Sequence, residues 1–165
     1  MTVNVRRAEE KDLKDVAALA GDLVRMHHAT DGDRFLLPPD VEKGYAWWFG
    51  RQLGNPKAVI LVAEGAGAIV GYAYGSLEDR DWNMLLDEHG ALHDVFVAPG
   101  ARRGGAGKAL VLGMVEALEA LGAPRVVLST MVGNEQAQRL FRSCGFRATM
   151  LEMTRSKPAT TIPRP

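Results

Sequence analysis

The chain has 165 residues, a length suited to one domain around one buried core. Hydrophobic residues make up 47% and charged residues 24%, an ordinary globular balance. Lys plus Arg and Asp plus Glu number 20 each, so the formal charge is zero, which argues against a general nucleic-acid binder but not against a local phosphate site.

One cysteine, Cys144, excludes an intrachain disulfide and fits a reduced, cytoplasmic setting. The first ten residues lack the apolar core of a secretion signal. The longest uncharged stretch, Gly65 to Leu77, is too short for a membrane span and carries four glycines. The expectation is a protein with no membrane and no nucleic-acid partner.

In chain order, Thr2 to Ala8 alternates around Val3 and Val5 and predicts a strand. Leu13, Val16, Ala17, Ala20, Leu23, Val24 and His27 then draw one helical stripe. Pro38-Pro39 opens a second helix, about Asp40 to Leu53, carrying Tyr45, Trp47, Trp48 and Phe49. One tryptophan should pack on the sheet, and the other is a candidate wall for an acceptor pocket. "AVILVAE" and "AIVGYAYGSLE", joined at Gly65-Ala66-Gly67, predict a hairpin. Glu78 to His89 is a polar connection with five acids against Arg80, read first as a solvated loop and second as a lure for cationic amines. "ALHDVFV" is a strand, Gly105 to Leu121 a helix stopped by Gly122 and Pro124, "RVVLST" a strand and "NEQAQRLFRSC" a short helix. "GFRAT" and "MLEMTR" predict a closing hairpin, and Ser156 to Pro165, with three prolines, a loose tail. These elements predict one domain over residues 1–155, an α/β (α+β) mixed sheet of about seven strands with four helices on both faces.

Chemistry concentrates in "VFVAPGARRGGAGKAL". Gly104, Gly105, Ala106 and Gly107 let a ligand approach the backbone. The helix that follows leaves its first N–H groups unpaired, and with its dipole they make an anion site. Arg102, Arg103 and Lys108 add charge, so a diphosphate is the natural guest. A G-x-x-x-x-G-K-S/T loop fails, because position 102 is arginine and 109 alanine. A G-x-G-x-x-G fingerprint fails at Leu110.

The pattern that remains, Q/R-x-x-G-x-G/A, is met by Arg102, Gly105 and Gly107 after "VFV". Here the sequence resembles the GNAT superfamily of N-acetyltransferases. "NEQAQRLFRSCGF" is similar to the family's N-x-x-A-x-x-L/F-Y-x-x-x-G-F at Asn134, Ala137, Leu140, Gly145 and Phe146. The resemblance covers about Thr2 to Arg155. It implies a GNAT-type, mostly antiparallel sheet, with acetyl-CoA as acetyl donor and no metal. The glycine loop and Asn134 would hold the donor, and backbone amides of Val95, Phe96 and Val97 would meet its pantetheine arm and thioester.

Related diamine acetyltransferases carry L-E-D where this chain has Leu92-His93-Asp94. His93 replaces the glutamate as candidate base, with a hydrogen-bonded strand histidine as the equal alternative. Asp94 is a second candidate. As strand neighbours the two should face opposite ways, so that one enters the site. The family's tyrosine acid falls at Phe141, which can pack against the CoA arm but cannot donate. Tyr72 and Tyr74 on the neighbouring strand, or water, are the substitutes. The acceptor implied is the primary amine of a small molecule, with a protein amine as a narrower variant. A non-catalytic CoA-binding sensor is the rival reading. "TMLEMTR" offers an edge to a second copy, which would make a homodimer. His27 and His28 near Asp31 and Asp33 lack a second spaced ligand pair and are read as packing, as is Cys144.

Overall fold

The computed structural model describes residues 3–157. Strand β1 (Asn4–Arg7) leads through a 3-10 turn, Glu10–Asp12, into α1 (Leu13–Thr30). Helix α2 (Val41–Gln52), strands β2 (Ala58–Gly65) and β3 (Ala68–Glu78), and strand β4 (His89–Val97) follow. A second 3-10 turn, Pro99–Ala101, precedes α3 (Ala106–Ala120), then β5 (Val126–Leu128) and α4 (Glu135–Ser143).

The sheet runs β1-β2-β3-β4-β5. All neighbours are antiparallel except β4 and β5, which are parallel. Ala66 and Gly67 take positive φ at the β2–β3 turn, as a tight hairpin requires.

Both faces of the sheet are covered, which explains why β2 reads as an unbroken apolar run. Ala58, Ile60 and Val62 face α1 and α2, where they meet Val16, Ala20, Leu23, Phe49, Tyr72 and Phe96. Val59, Leu61 and Ala63 face α3, where they meet Leu110, Val111, Met114 and Leu118. The side-chain period of two assigns each strand residue to one core or the other.

Two expectations are corrected. The closing hairpin does not form: the described residues after Ser143 include no strand, so the sheet has five strands and not about seven. Neighbouring β5 is only three residues long and offers a short ladder. Met150 and Leu151 are adjacent and therefore do not alternate, and both, with Met153, are exposed. Glu152 instead pairs with Arg34 in the α1–α2 connection. The second correction concerns α2: both tryptophans are exposed and neither joins the core against the sheet. Phe49 takes that place, fully buried, with its ring 5.8 Å from Tyr72 and 5.4 Å from Tyr74. Residues 158–165 of the expected tail lie outside the described residues.

Candidate active site

The glycine-rich segment lies between the end of β4 and the start of α3. The first hydrogen bond of α3 runs from the Ala109 N–H to the Gly105 carbonyl, at 3.0 Å. The amides of Ala106, Gly107 and Lys108 therefore precede the helical ladder. No acidic residue lies in that first turn, so nothing in it offsets the positive end of the dipole. Arg103 and Gly105 both take positive φ, at 69° and 86°. A Cβ built on Gly105 would meet nothing within 4 Å, so the glycine leaves open space above the helix start. Gly107 differs: its Cβ would come within 3.2 Å of Leu140, so this glycine makes room for α4. Ala106 is buried against the α3-side core and offers a ligand only its amide.

Next to this loop, β4 has a free edge. Strand β5 pairs only with Gly90, Ala91 and Leu92. The Ala98 N–H donates to Val70 of the β3 side at 2.9 Å. Amides alternate along a strand, so those of Phe96 and Asp94 also point at β3. Those of Val95 and Val97 point to the open edge. Arg102 folds back there: its Nε donates to the Val97 carbonyl at 3.0 Å, and its guanidinium lies 5.5 Å from the Phe96 ring.

The side chains on this part of β4 do not alternate as expected. Pairing with β3 shifts by one residue between Tyr74 and Gly75, which lie opposite Asp94 and Leu92 and leave His93 as the extra residue. This is a β-bulge. Leu92 and Val95 both face α3, and Phe96 faces α1 and α2. His93 and Asp94 consequently share the α1–α2 face, against the expectation that only one of them enters a common site. The His93 ring stacks on Tyr74 at 5.1 Å and 24°. The Tyr72 hydroxyl donates to Asp94 Oδ2 at 3.1 Å.

Burial sets the electrostatics here. It raises the Asp94 carboxyl above its ordinary value, while the hydrogen bond from Tyr72 and the nearby His93 and His27 rings act the other way. It also raises Tyr72, Tyr74 and Tyr45, the last to about 12, and Asp94 adds to each. These phenols therefore keep their protons at neutral pH and are donors.

Ser76 in this cluster was not singled out from sequence, and Glu78 was read only as one acid of the β3–β4 connection. Ser76 Oγ lies 2.7 Å from His93 Nε2 and donates to Glu78 Oε1. Glu78 Oε1 is 3.4 Å from His93 Nε2. The signal was available: Tyr72, Tyr74 and Ser76 are spaced by two and share a face. Tyr45 and Trp48 line a shallow cavity of about 250 Å³ with Pro38, Pro39, Asp40, Val41 and Gly44.

Residues 22–146 match the Acetyltransferase (GNAT) family. The chain belongs to the GNAT acetyltransferase family. A relative, mycothiol acetyltransferase of Pseudarthrobacter chlorophenolicus, is 31% identical over 102 residues, which are 60% of this chain and 28% of that protein. The chain therefore spans well under half the length of that relative. Among solved structures, the tetramutant BH1408 protein of Bacillus halodurans superposes with a TM-score of 0.79 at 21% identity, covering 93% of this chain and 99% of that one. AAC(6')-Iy, in complex with the bisubstrate analogue CoA-S-monomethyl-acetylneamine, superposes at 0.72 and 18% identity over 96% and 100%. Both likenesses establish the GNAT fold.

Within that fold, the second GNAT motif forms α4. Asn134 caps it: its Oδ1 accepts from the Ala137 N–H at 3.0 Å. That oxygen is therefore engaged within the protein. Phe141 packs on the α3-side core, 6.2 Å from Phe146. Tyr74 belongs to the opposite core, so the two occupy different faces of the sheet. His27 Nδ1 is 2.9 Å from the Leu23 carbonyl, and His28 Nδ1 is 2.7 Å from the Phe35 carbonyl. Each ring is thus tied to a main-chain carbonyl. Among the described residues, no group of three or more His, Cys, Asp or Glu could hold a metal ion.

Proposed function

We propose that the chain transfers the acetyl group of acetyl-CoA directly to the primary amine of a small molecule. One observation carries the reading. Gly105 leaves open space at the start of α3, the first amides of that helix are unladdered, and β4, which leads into the loop, has no β5 partner beyond Leu92. A diphosphate suits the Arg103–Lys108 end, where main-chain donors and the helix dipole meet in a segment that carries Arg102, Arg103 and Lys108. A pantetheine arm is amide-rich and extended, and it pairs with backbone as a strand would. Val95 and Val97 offer that pairing, and Phe96 lies under Arg102.

The chemistry then requires little from the protein beyond placement, polarisation and proton management. An outward amide, that of Val95 or Val97, donates to the thioester oxygen as charge develops on it, an effect worth about 3 kcal/mol. His93 takes a proton from the acceptor ammonium, freeing the lone pair for attack. The CoA thiolate leaves when the tetrahedral carbon collapses. Phe141 cannot protonate it, so water or Tyr74 supplies the proton. The aromatic cavity of Tyr45 and Trp48 and the acidic β3–β4 connection support a cationic acceptor. A bisubstrate analogue bound to a structural neighbour joins CoA to an amine-derived moiety, which supports the same order of groups.

The test is release of free thiol from acetyl-CoA across a panel of small amines, with calorimetry of CoA binding alongside. Acetyl-CoA-dependent turnover on at least one amine is expected, lost in His93→Ala. Thermal stabilisation by CoA with no turnover on any amine would replace the enzyme with a sensor. Absence of CoA binding would overturn the assignment of the loop itself.

A further inference from the structure

We infer that Ser76 and Glu78 hold neutral His93 as its Nε2–H tautomer, so that Nδ1 is the nitrogen presented to the acceptor amine. The inference rests on the reading of His93 as base and adds two positioning residues to it.

The argument is a count of protons. His93 Nε2 has two polar neighbours, Ser76 Oγ at 2.7 Å and Glu78 Oε1 at 3.4 Å. Ser76 has one hydroxyl proton, and its oxygen also contacts Glu78 Oε1. A carboxylate only accepts, so the serine proton goes to Glu78. Ser76 must then accept from His93, which places the ring proton on Nε2. The other tautomer would aim a nitrogen lone pair at Glu78 and leave Ser76 unable to satisfy both neighbours. Ser76 is 6% exposed, so water does not readily replace either partner. The Tyr74 ring stacked against the imidazole limits its rotation. Among the described residues Nδ1 has no hydrogen-bond partner, and the side chain is exposed.

The proton step balances. Nδ1 receives one proton from the ammonium, the free amine forms its bond to the acetyl carbon as the thioester bond breaks, and the nitrogen's second proton passes through water to the departing thiolate. The imidazolium keeps Nε2–H on Ser76 with its charge beside Glu78. It returns the Nδ1 proton to solvent through the exposed face of the ring. Regular alternation from Leu92, which faces α3, already puts His93 on the face of Ser76, and the bulge brings Asp94 onto that same face.

Long-range nitrogen–proton correlation spectra of histidine-labelled protein at about pH 8.5, where an ordinary histidine is neutral, read the tautomer without activity. For His93 the expected pattern is a protonated Nε2 and an unprotonated Nδ1. Ser76→Ala should leave a mixture of tautomers and lower kcat about tenfold with the KM for acetyl-CoA unchanged. Ser76→Thr should restore both. Glu78→Gln should give a mixture of tautomers, since a carboxamide can either accept from Ser76 or donate to it and no longer fixes the direction of the serine proton. A protonated Nδ1 in the unmodified protein overturns the inference, as does an unchanged tautomer in both Ser76→Ala and Glu78→Gln. Full activity in His93→Ala with the expected tautomer would remove the base and leave only the geometry. Loss of activity in His93→Ala with the wrong tautomer would retain the base and remove Ser76 and Glu78.

Discussion

The Tyr72 hydroxyl donates to Asp94 at 3.1 Å, and Tyr72 is fully buried where the central sheet meets α1 and α2. The pair holds a carboxyl whose burial raises it above its ordinary value of 3.8. The sign is opposite to that of an ion-paired carboxylate. The folded state holds the Asp94 proton more tightly than the unfolded chain does, so this group's contribution to stability declines as pH rises from 3.8 through the folded value. Asp94→Asn removes the charge. Its melting temperature should exceed that of the unmodified protein at pH 7, and the difference should close as pH falls toward 3.8. Thermal melts across that range check this.

Gly105 should respond to substitution in two measurable ways. At a φ of 86° an added Cβ costs about 1 kcal/mol of stability in chemical denaturation. That Cβ would also occupy the open space where a phosphate is proposed. CoA affinity by calorimetry should fall at least tenfold, or about 1.4 kcal/mol. Gly104→Ala is the control for stability. Its φ is not positive, and its Cβ would come no closer than 3.6 Å to Ala101, so unfolding should be unchanged.

Phe141→Tyr restores a hydroxyl at the position of the family's acid. The ring is half-buried and meets Phe146 edge-on, so one polar atom at its tip is tolerated. Steady-state turnover should be preserved or raised. A large loss of kcat would show that the thiolate leaves elsewhere.

Arg6 ties the N-terminal strand to the rest of the fold. It makes two bonds to Asp12, at 2.6 and 3.0 Å, and reaches Glu64 at 2.6 Å. Asp12 is 3% exposed, so Arg6→Ala leaves its buried carboxylate with the Glu9 N–H and no cation, and should lower stability in urea unfolding at pH 7. The Arg6 hydrogen bond holds Asp12 below its ordinary 3.8, against the opposing effect of burial. The pair's contribution is therefore full above 3.8 and lost as pH falls through the folded value. The gap between Arg6→Ala and the unmodified protein should narrow in acid.

The glycine-rich turn into α3, where a phosphate is proposed, was legible from residue types alone. Gly105 needs a conformation that side chains resist, and a helix start always leaves amides unpaired, so both signals are local. The two-faced sheet was legible from the unbroken apolar run of β2 and the stripe of α1. The missing hairpin was not, because whether Met150 and Leu151 pair depends on the length of a neighbour far away in sequence. Trp47 and Trp48 misled for a similar reason: their size suggested the core, but helix phase turned Phe49 inward.

What the sequence by itself determined was the glycine-rich helix start, the order of elements as far as α4 and the identity of the family, all properties of short segments and their spacing. Tertiary structure alone decided the company His93 keeps. A single residue inserted in the β4 ladder reverses the face of everything on one side of it. That reversal brings Asp94 onto the face where His93 lies over Tyr74 and against Ser76 and Glu78. Strand alternation read along the chain cannot reveal a bulge, because the extra residue is defined only by its missing partner on β3.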